Sequence, residues 1–149
     1  MNFEPIPIKA LHSVWGRVRP GLERVALKGK ERYLPEDVFF ALRSGRAVLH
    51  FAHDGERYAG FMVLEVYEEP FTHENVIGVW ALHAEGQEGN FADALPFRDE
   101  AIAYIDSIAR SLGIKRVKMS GRKGWTKVLK DQFEPVRVMF ERVVPGVQA

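Results

Sequence analysis

The 149-residue sequence contains no cysteine. This absence excludes disulfide bonds, thiolate metal ligands and a cysteine nucleophile, and it favours a cytoplasmic protein. The sequence also lacks any apolar run that approaches the ~20 residues of a membrane span. Met1–Pro5 shows no basic segment followed by an apolar stretch, which a secretory signal requires. We therefore expect a protein without membrane association.

An excess of charge of either sign is missing as well. The formal net charge is +1, so no overall field draws the chain towards nucleic acid or acidic lipid. We accordingly expect no nucleic-acid partner. Apolar residues make up 46% of the chain and charged residues 28%, a composition typical of one globular domain with a hydrophobic core.

The first 45 residues show the apolar spacing of helices. Apolar side chains recur three or four positions apart from Leu11 to Val18, and Pro20 is expected to interrupt this helix. A clearer helix begins at Pro35 and ends at Gly45. The sequence thus predicts an N-terminal helical part over about residues 10–45.

Beyond residue 45 the pattern changes to that of strands. Arg46–His53 is rich in strand-forming residues and leads into the hairpin turn Asp54-Gly55. The return strand covers about Arg57–Tyr67, and a third strand covers Asn75–Ala84. Both faces of these strands are apolar, which indicates that helices cover both sides of the sheet.

The last third of the sequence predicts four more elements. They are a long helix that ends at Gly113, a short strand over Ile114–Ser120, a short helix over Arg122–Lys130 and a final alternating strand over Phe133–Val144. This order of elements predicts a single α/β (α+β) domain. Its sheet is mixed and mostly antiparallel, and helices lie on both of its faces. The domain covers residues 1–149, with the sheet and its helices over about residues 46–144.

Four segments carry a resemblance to a known family: Ala41–Phe51, Asp54–Phe61, Ile108–Val117, and Ser120–Trp125 followed by Phe133. With them, the sequence resembles the GNAT acyltransferase superfamily, and in particular the degenerate GNAT-like proteins of bacteriophages. The resemblance implies a GNAT-like fold, acetyl-CoA as the cofactor and N-acyl transfer as the reaction.

The family's phosphate-binding loop is altered in this chain. Counted back from Gly113 without gaps, its positions fall on Asp93, Pro96 and Arg98. Proline offers no N–H group, and aspartate repels phosphate. The resemblance also implies a tyrosine that protonates the departing thiolate, and Val128 stands at that position.

A gapped alternative keeps a cofactor site in the loop after the third strand. It assigns cofactor binding to Gln87, Gly89 and Asn90, with Arg122 as a further cofactor-binding residue. The alternative is that these glycines simply form a turn, which is the more frequent role of glycines in a loop.

His83 and Glu85 are the candidate catalytic residues. Two positions apart on an extended chain, their side chains point to the same side, and a histidine there can take a proton from an amine. The alternative is a polar strand end that faces solvent. A gap between the third and fourth strands beside His83 would favour a ligand site, whereas Trp80 or Phe97 filling that gap would favour a binding protein.

Other polar residues give weaker signals. The spacing of the remaining histidines forms no metal-ligand set, so no metal is expected. Trp125 and Lys123 open a helix beside a basic turn, and they form either a pocket or partner surface or part of the packing against the sheet. The basic residues from Lys115 to Lys130 are consistent with a phosphate clamp, a nucleic-acid surface or a solvated face.

Two functions follow from these observations. One is acetyl-CoA-dependent N-acyl transfer with direct attack of an amine on the thioester. The other is a catalytically inactive protein of the same fold that binds a bacterial host protein, in the host cytoplasm, or serves in a phage virion.

Overall fold

The chain forms a five-stranded sheet flanked by helices. The computed structural model describes residues 1–86, 97–121 and 125–147, except for the side chain of Val128. Its elements are β1 (Asn2–Pro5), α1 (Leu11–Gly29), α2 (Pro35–Arg43), β2 (Val48–Asp54), β3 (Arg57–Glu68), β4 (Asn75–Ala84), α3 (Phe97–Leu112), β5 (Val117–Met119) and α4 (Trp125–Val128).

The strands lie in the order β1-β2-β3-β4-β5. All neighbouring pairs are antiparallel except β4 and β5, which run parallel. The described chain therefore has the single-domain α+β fold with a mixed, mostly antiparallel sheet that the sequence predicts. The predicted hairpin is confirmed too, because Asp54 pairs with Arg57 around Gly55, whose φ of 63° suits glycine.

Each face of the sheet carries its own hydrophobic core. One core packs α3 and α4 against side chains such as Met62 and Ile77, and the other packs α1 and α2 against Phe61 and Val63. This arrangement confirms that helices cover both faces, and it explains why the central strands are apolar throughout. None of the helices in the described part of the chain is long and apolar enough to cross a membrane.

The N-terminal region differs from the prediction in two ways. Asn2–Pro5 forms an edge strand on β2, although four residues with little alternation give no strand signal. α1 also continues through Pro20, so the predicted interruption is wrong. Val18 and Leu22 are fully buried on either side of Pro20, and their packing holds the helix together across the lost hydrogen bond.

The predicted final strand is also wrong. Residues 133–144 contain no regular element, and Val138 and Phe140 are 70% and 90% exposed. An alternating segment becomes a strand only when a neighbour pairs with it, and β5 offers an edge of just three residues. Pro135 removes one further donor from the segment.

Candidate functional site

A cleft opens where β4 and β5 separate. Along β3, Val63 pairs with Ala81 and Leu64 pairs with Val79, so Trp80 is an extra residue that forms a β-bulge. The β4–β5 pairing ends at the same place, at Val79 and Met119. From Trp80 to Ala84, the β5 side of β4 has no strand partner among the described residues.

The cleft has two lobes that share one wall. The first has a volume of about 140 Å³ and lies between the end of α1, β4, β5 and Trp125. The second has a volume of about 390 Å³ and extends towards Asp37 and Ala41 of α2 and Arg46. Residues common to both lobes are Glu31, Tyr33, Val79, Trp80, Ala81 and Ser120. The two lobes are therefore adjacent, with these residues between them.

Tyr33 and Glu31 come from the connection between α1 and α2, and they line both lobes of the cleft. The side chain of Tyr33 is half-buried, and both its burial and the negative charge of Glu31 raise its phenol pKa. The phenol is consequently protonated at neutral pH and can donate a proton. Sequence analysis missed both residues, since no motif marks a tyrosine in a loop.

Trp80 is fixed in place by Glu65. Its indole N–H donates a hydrogen bond of 2.6 Å to Oε2 of Glu65, whose other carboxylate oxygen lies 3.3 Å from Nε of Arg46. The Arg46 guanidinium carbon lies 5.1 Å from the centre of the Trp80 ring. The side chain lines the cleft, held in one orientation by two polar neighbours.

The structure brings His83 and Glu85 together but away from the cleft. His83 Nε2 lies 3.1 Å from Oε2 of Glu85, as their spacing predicts. The ring packs under Gly21 of α1 and beside Phe61, with a side chain only 3% exposed. Neither residue lines the described cleft.

Burial lowers the pKa of His83, although the hydrogen bond with Glu85 and its negative charge oppose that shift. His83 is therefore neutral at neutral pH. Because a carboxylate only accepts, Nε2 carries the proton, and Nδ1 has no hydrogen-bond partner among the residues described. The pair is chemically able to accept a proton at Nδ1.

Trp125 closes the cleft on the α4 side. Its ring lines the first lobe and packs against the core under α3, so the two alternatives predicted for it coexist. A β-carbon added to Gly121 would lie 2.6 Å from the Trp125 ring. Glycine at 121 therefore permits this ring position.

The remaining predicted site residues lie outside the described part of the chain. They are Gln87, Gly89, Asn90, Asp93, Pro96, Arg122 and Lys123. The side chain of Val128 is also outside it. Their assignments to cofactor binding or to a partner surface, and the inactive host-binding alternative that depends on several of them, stay predictions.

No group of three or more histidine, aspartate or glutamate side chains within the described ranges could hold a metal ion.

Phe97 and Trp80 are the residues expected from the sequence to fill the gap between the strands in a binding protein. Phe97 instead packs against Gly60 in the core under α3. Trp80 lines the gap.

Comparison with solved structures identifies the fold. The chain is similar to a ribosomal-protein-alanine N-acetyltransferase from Brucella melitensis biovar Abortus, with 13% identity, coverage of 97% of this chain and 99% of that one, and a TM-score of 0.63. It is also similar to a predicted acetyltransferase from Clostridium acetobutylicum solved with acetyl-CoA, with 11% identity, 95% coverage of both chains and a TM-score of 0.66.

A third similar structure is an aminoglycoside acetyltransferase from an uncultured soil metagenomic sample, in complex with sisomicin. Its identity is 13%, the coverage is 96% of this chain and 95% of that one, and the TM-score is 0.66. No protein-family model matches the sequence, and no curated protein matches it significantly. The described chain thus has the fold of GNAT acetyltransferases over nearly its whole length.

Proposed function

We propose that the protein transfers an acyl group from acetyl-CoA to an amine. The observation that carries this proposal is the separation of β4 from the edge strand β5 at Trp80, which leaves an open cleft on that side of β4. The likeness in fold to acetyltransferases, one of them solved with acetyl-CoA, supports the same assignment.

The described residues fit the acyl end of the cofactor. A pantetheine arm carries amide groups. The edge of β4 from Trp80 to Ala84, which pairs with no described strand on the β5 side, presents backbone donors and acceptors to a chain lying along it. Val79, Leu82 and Met119 supply an apolar lining for the aliphatic parts. Acetyl-CoA, when bound, supplies a thioester carbon open to attack by an amine.

Glu31 and Tyr33 are the residues that we assign to proton transfer. The amine nitrogen bonds to the acyl carbon while the carbon–sulfur bond breaks, so one proton must leave nitrogen and one must reach sulfur. The Glu31 carboxylate accepts the first, and the Tyr33 hydroxyl donates the second. The proton then passes from Glu31 to the Tyr33 oxygen, which restores both side chains.

This assignment differs from the sequence-based one, which gives the amine proton to His83 or Glu85. The described cleft does not include either side chain, whereas Glu31 and Tyr33 line both of its lobes. The two assignments make different predictions for substitution. Tyr33→Phe is expected to lower kcat by about 100-fold, and His83→Gln to lower stability more than kcat.

A thiol-release assay tests the proposal directly. Because the chain has no cysteine, a thiol reagent reports only free coenzyme A, without a background from the protein. Purified protein is incubated with acetyl-CoA and a panel of primary amines, and Tyr67→Phe serves as the control for Tyr33→Phe. Release with at least one amine is expected.

Binding is measured separately. Trp80 and Trp125 both line the first lobe, so acetyl-CoA should quench their fluorescence, and calorimetry should give a dissociation constant. Absence of both quenching and heat at millimolar acetyl-CoA would overturn the proposal. If the protein binds acetyl-CoA but acylates none of the amines, it is a cofactor-binding protein and the assigned reaction is refuted.

A further inference from the structure

Glu65 forms a hydrogen-bonded and charged link between the sheet and the cleft. It lies on β3 two residues after Val63, and its side chain is 14% exposed. One carboxylate oxygen accepts the Trp80 indole N–H at 2.6 Å, and the other faces Nε of Arg46 at 3.3 Å. A carboxylate used at both oxygens fixes the two groups that it binds.

Trp80 needs the hydrogen bond to Glu65 because, at the bulge, it lacks the cross-strand pairing that orients other residues of β4. A residue within a regular ladder is oriented by pairing, but Trp80 has no opposite residue on β3. Its ring is also only half-buried, since it borders both lobes of the cleft. The bond to Glu65 and the overlying Arg46 guanidinium therefore decide where the indole stands.

We propose that Glu65 is a positioning residue that holds Trp80 as a fixed wall between the two lobes and so limits the acceptor to compact primary amines. The inference rests on the proposed function, and it places the entry of the amine in the lobe bordered by α2. Because Trp80 lines both lobes, we expect a fixed indole to leave less room for the acceptor than a mobile one, which would admit branched or aromatic amines.

The first experiment tests the position of Trp80 and needs no turnover. Fluorescence emission of the wild type and Glu65→Ala is recorded with and without Trp80→Phe, so that the difference spectrum isolates Trp80 from Trp15 and Trp125. We expect Glu65→Ala to shift the Trp80 emission to longer wavelength. Glu65→Gln, whose amide oxygen still accepts the indole N–H, should retain the wild-type spectrum.

The second experiment measures selectivity. The ratio of kcat/KM for ethylamine to that for benzylamine is expected to fall about tenfold in Glu65→Ala and to be restored in Glu65→Gln. The KM for acetyl-CoA should change less than the KM for the amine. Glu68→Ala is the matched control. It removes an exposed carboxylate at the end of the same strand, paired with His73 in the following turn, and should leave both the spectrum and the ratio unchanged.

Three results would overturn the inference. They are an unchanged Trp80 emission in Glu65→Ala, an unchanged amine ratio in an active Glu65→Ala enzyme, and equal effects of Ala and Gln at position 65. If the wild type transfers no acyl group, the reaction assignment fails by itself. The emission spectra then still decide whether Glu65 positions Trp80.

Discussion

Gly60 lies so close to His83 that a β-carbon on Gly60 would stand 2.1 Å from the His83 carbonyl oxygen. The same carbon would approach the Phe97 ring to 3.1 Å, and the φ of Gly60 is 151°. Neither contact can relax easily, because one is to backbone and the other is to a buried ring. Glycine at this position allows β3 and β4 to pair next to α3.

Gly60→Ala is therefore expected to lower the free energy of unfolding by about 3 kcal/mol or more. Urea denaturation followed by circular dichroism measures the change. Gly16→Ala is the control, since a β-carbon there meets nothing within 4 Å inside α1, and it should stabilise by up to about 1 kcal/mol. Equal effects of the two substitutions would contradict the close approach of β3 to β4 at Gly60.

His50 is expected to make stability depend on pH. Burial lowers its pKa from 6.5 to about 4. Between these values the unfolded chain binds a proton that the folded chain does not, so stability falls as the pH decreases through this window. The contribution of His50 amounts to at most about 3 kcal/mol.

Comparing the wild type with His50→Gln at pH 7 and pH 4 isolates this contribution. The lowered pKa of His83 also reduces stability at low pH, but it does so equally in both proteins and cancels in the comparison. His50→Gln should lose less stability on acidification. Tyr104→Phe removes the hydroxyl that lies 3.0 Å from His50 Nδ1 and should keep the pH dependence of the wild type. A pH profile of His50→Gln parallel to the wild type would rule the effect out.

Pro20→Ala should stabilise the protein. Pro20 lies inside α1 and cannot donate to the carbonyl of Gly16, and an alanine restores that bond. The gain of about 3 kcal/mol is reduced by about 1 kcal/mol, because the unfolded chain becomes more flexible. We expect a net increase of about 2 kcal/mol in urea denaturation, while Pro70→Ala, outside any helix, gives no such increase.

Phe140→Ser tests the exposed C-terminal segment. The side chain is 90% exposed, so its replacement should change the free energy of unfolding by less than about 0.5 kcal/mol. Phe61→Ser, at a fully buried position, should cost at least about 3 kcal/mol. A loss of more than about 1 kcal/mol in Phe140→Ser would show that the segment packs as the strand its alternation predicts.

Gly121→Ala is predicted to weaken acetyl-CoA binding. The added carbon would lie 2.6 Å from the Trp125 ring and force it to move within the first lobe. Gly29→Ala is a matched control in the same lobe, where the nearest atom is the flexible side chain of Glu31 at 3.4 Å. Calorimetry should show a dissociation constant raised about tenfold by the first substitution and much less by the second.

The sequence by itself determined the strands β2 to β5, the hairpin and the two-sided burial of the sheet, but neither β1 nor the irregular course of residues 133–144. Residues on both faces of β3 and β4 are apolar, so both faces must be buried. The segments with helical periodicity before and after these strands predict the helices that bury them. The pairing of His83 with Glu85 also followed from their spacing, since side chains two residues apart on a strand share a side.

The tertiary structure alone decided which face each residue of β4 occupies after the bulge. Simple alternation places Leu82 with Trp80, but the extra residue returns Leu82 to the core shared by Ile77 and Val79. It likewise turns His83 towards α1. A bulge leaves no mark in a run of apolar residues, because it arises from the register with β3, and the cleft arises from the early end of β5.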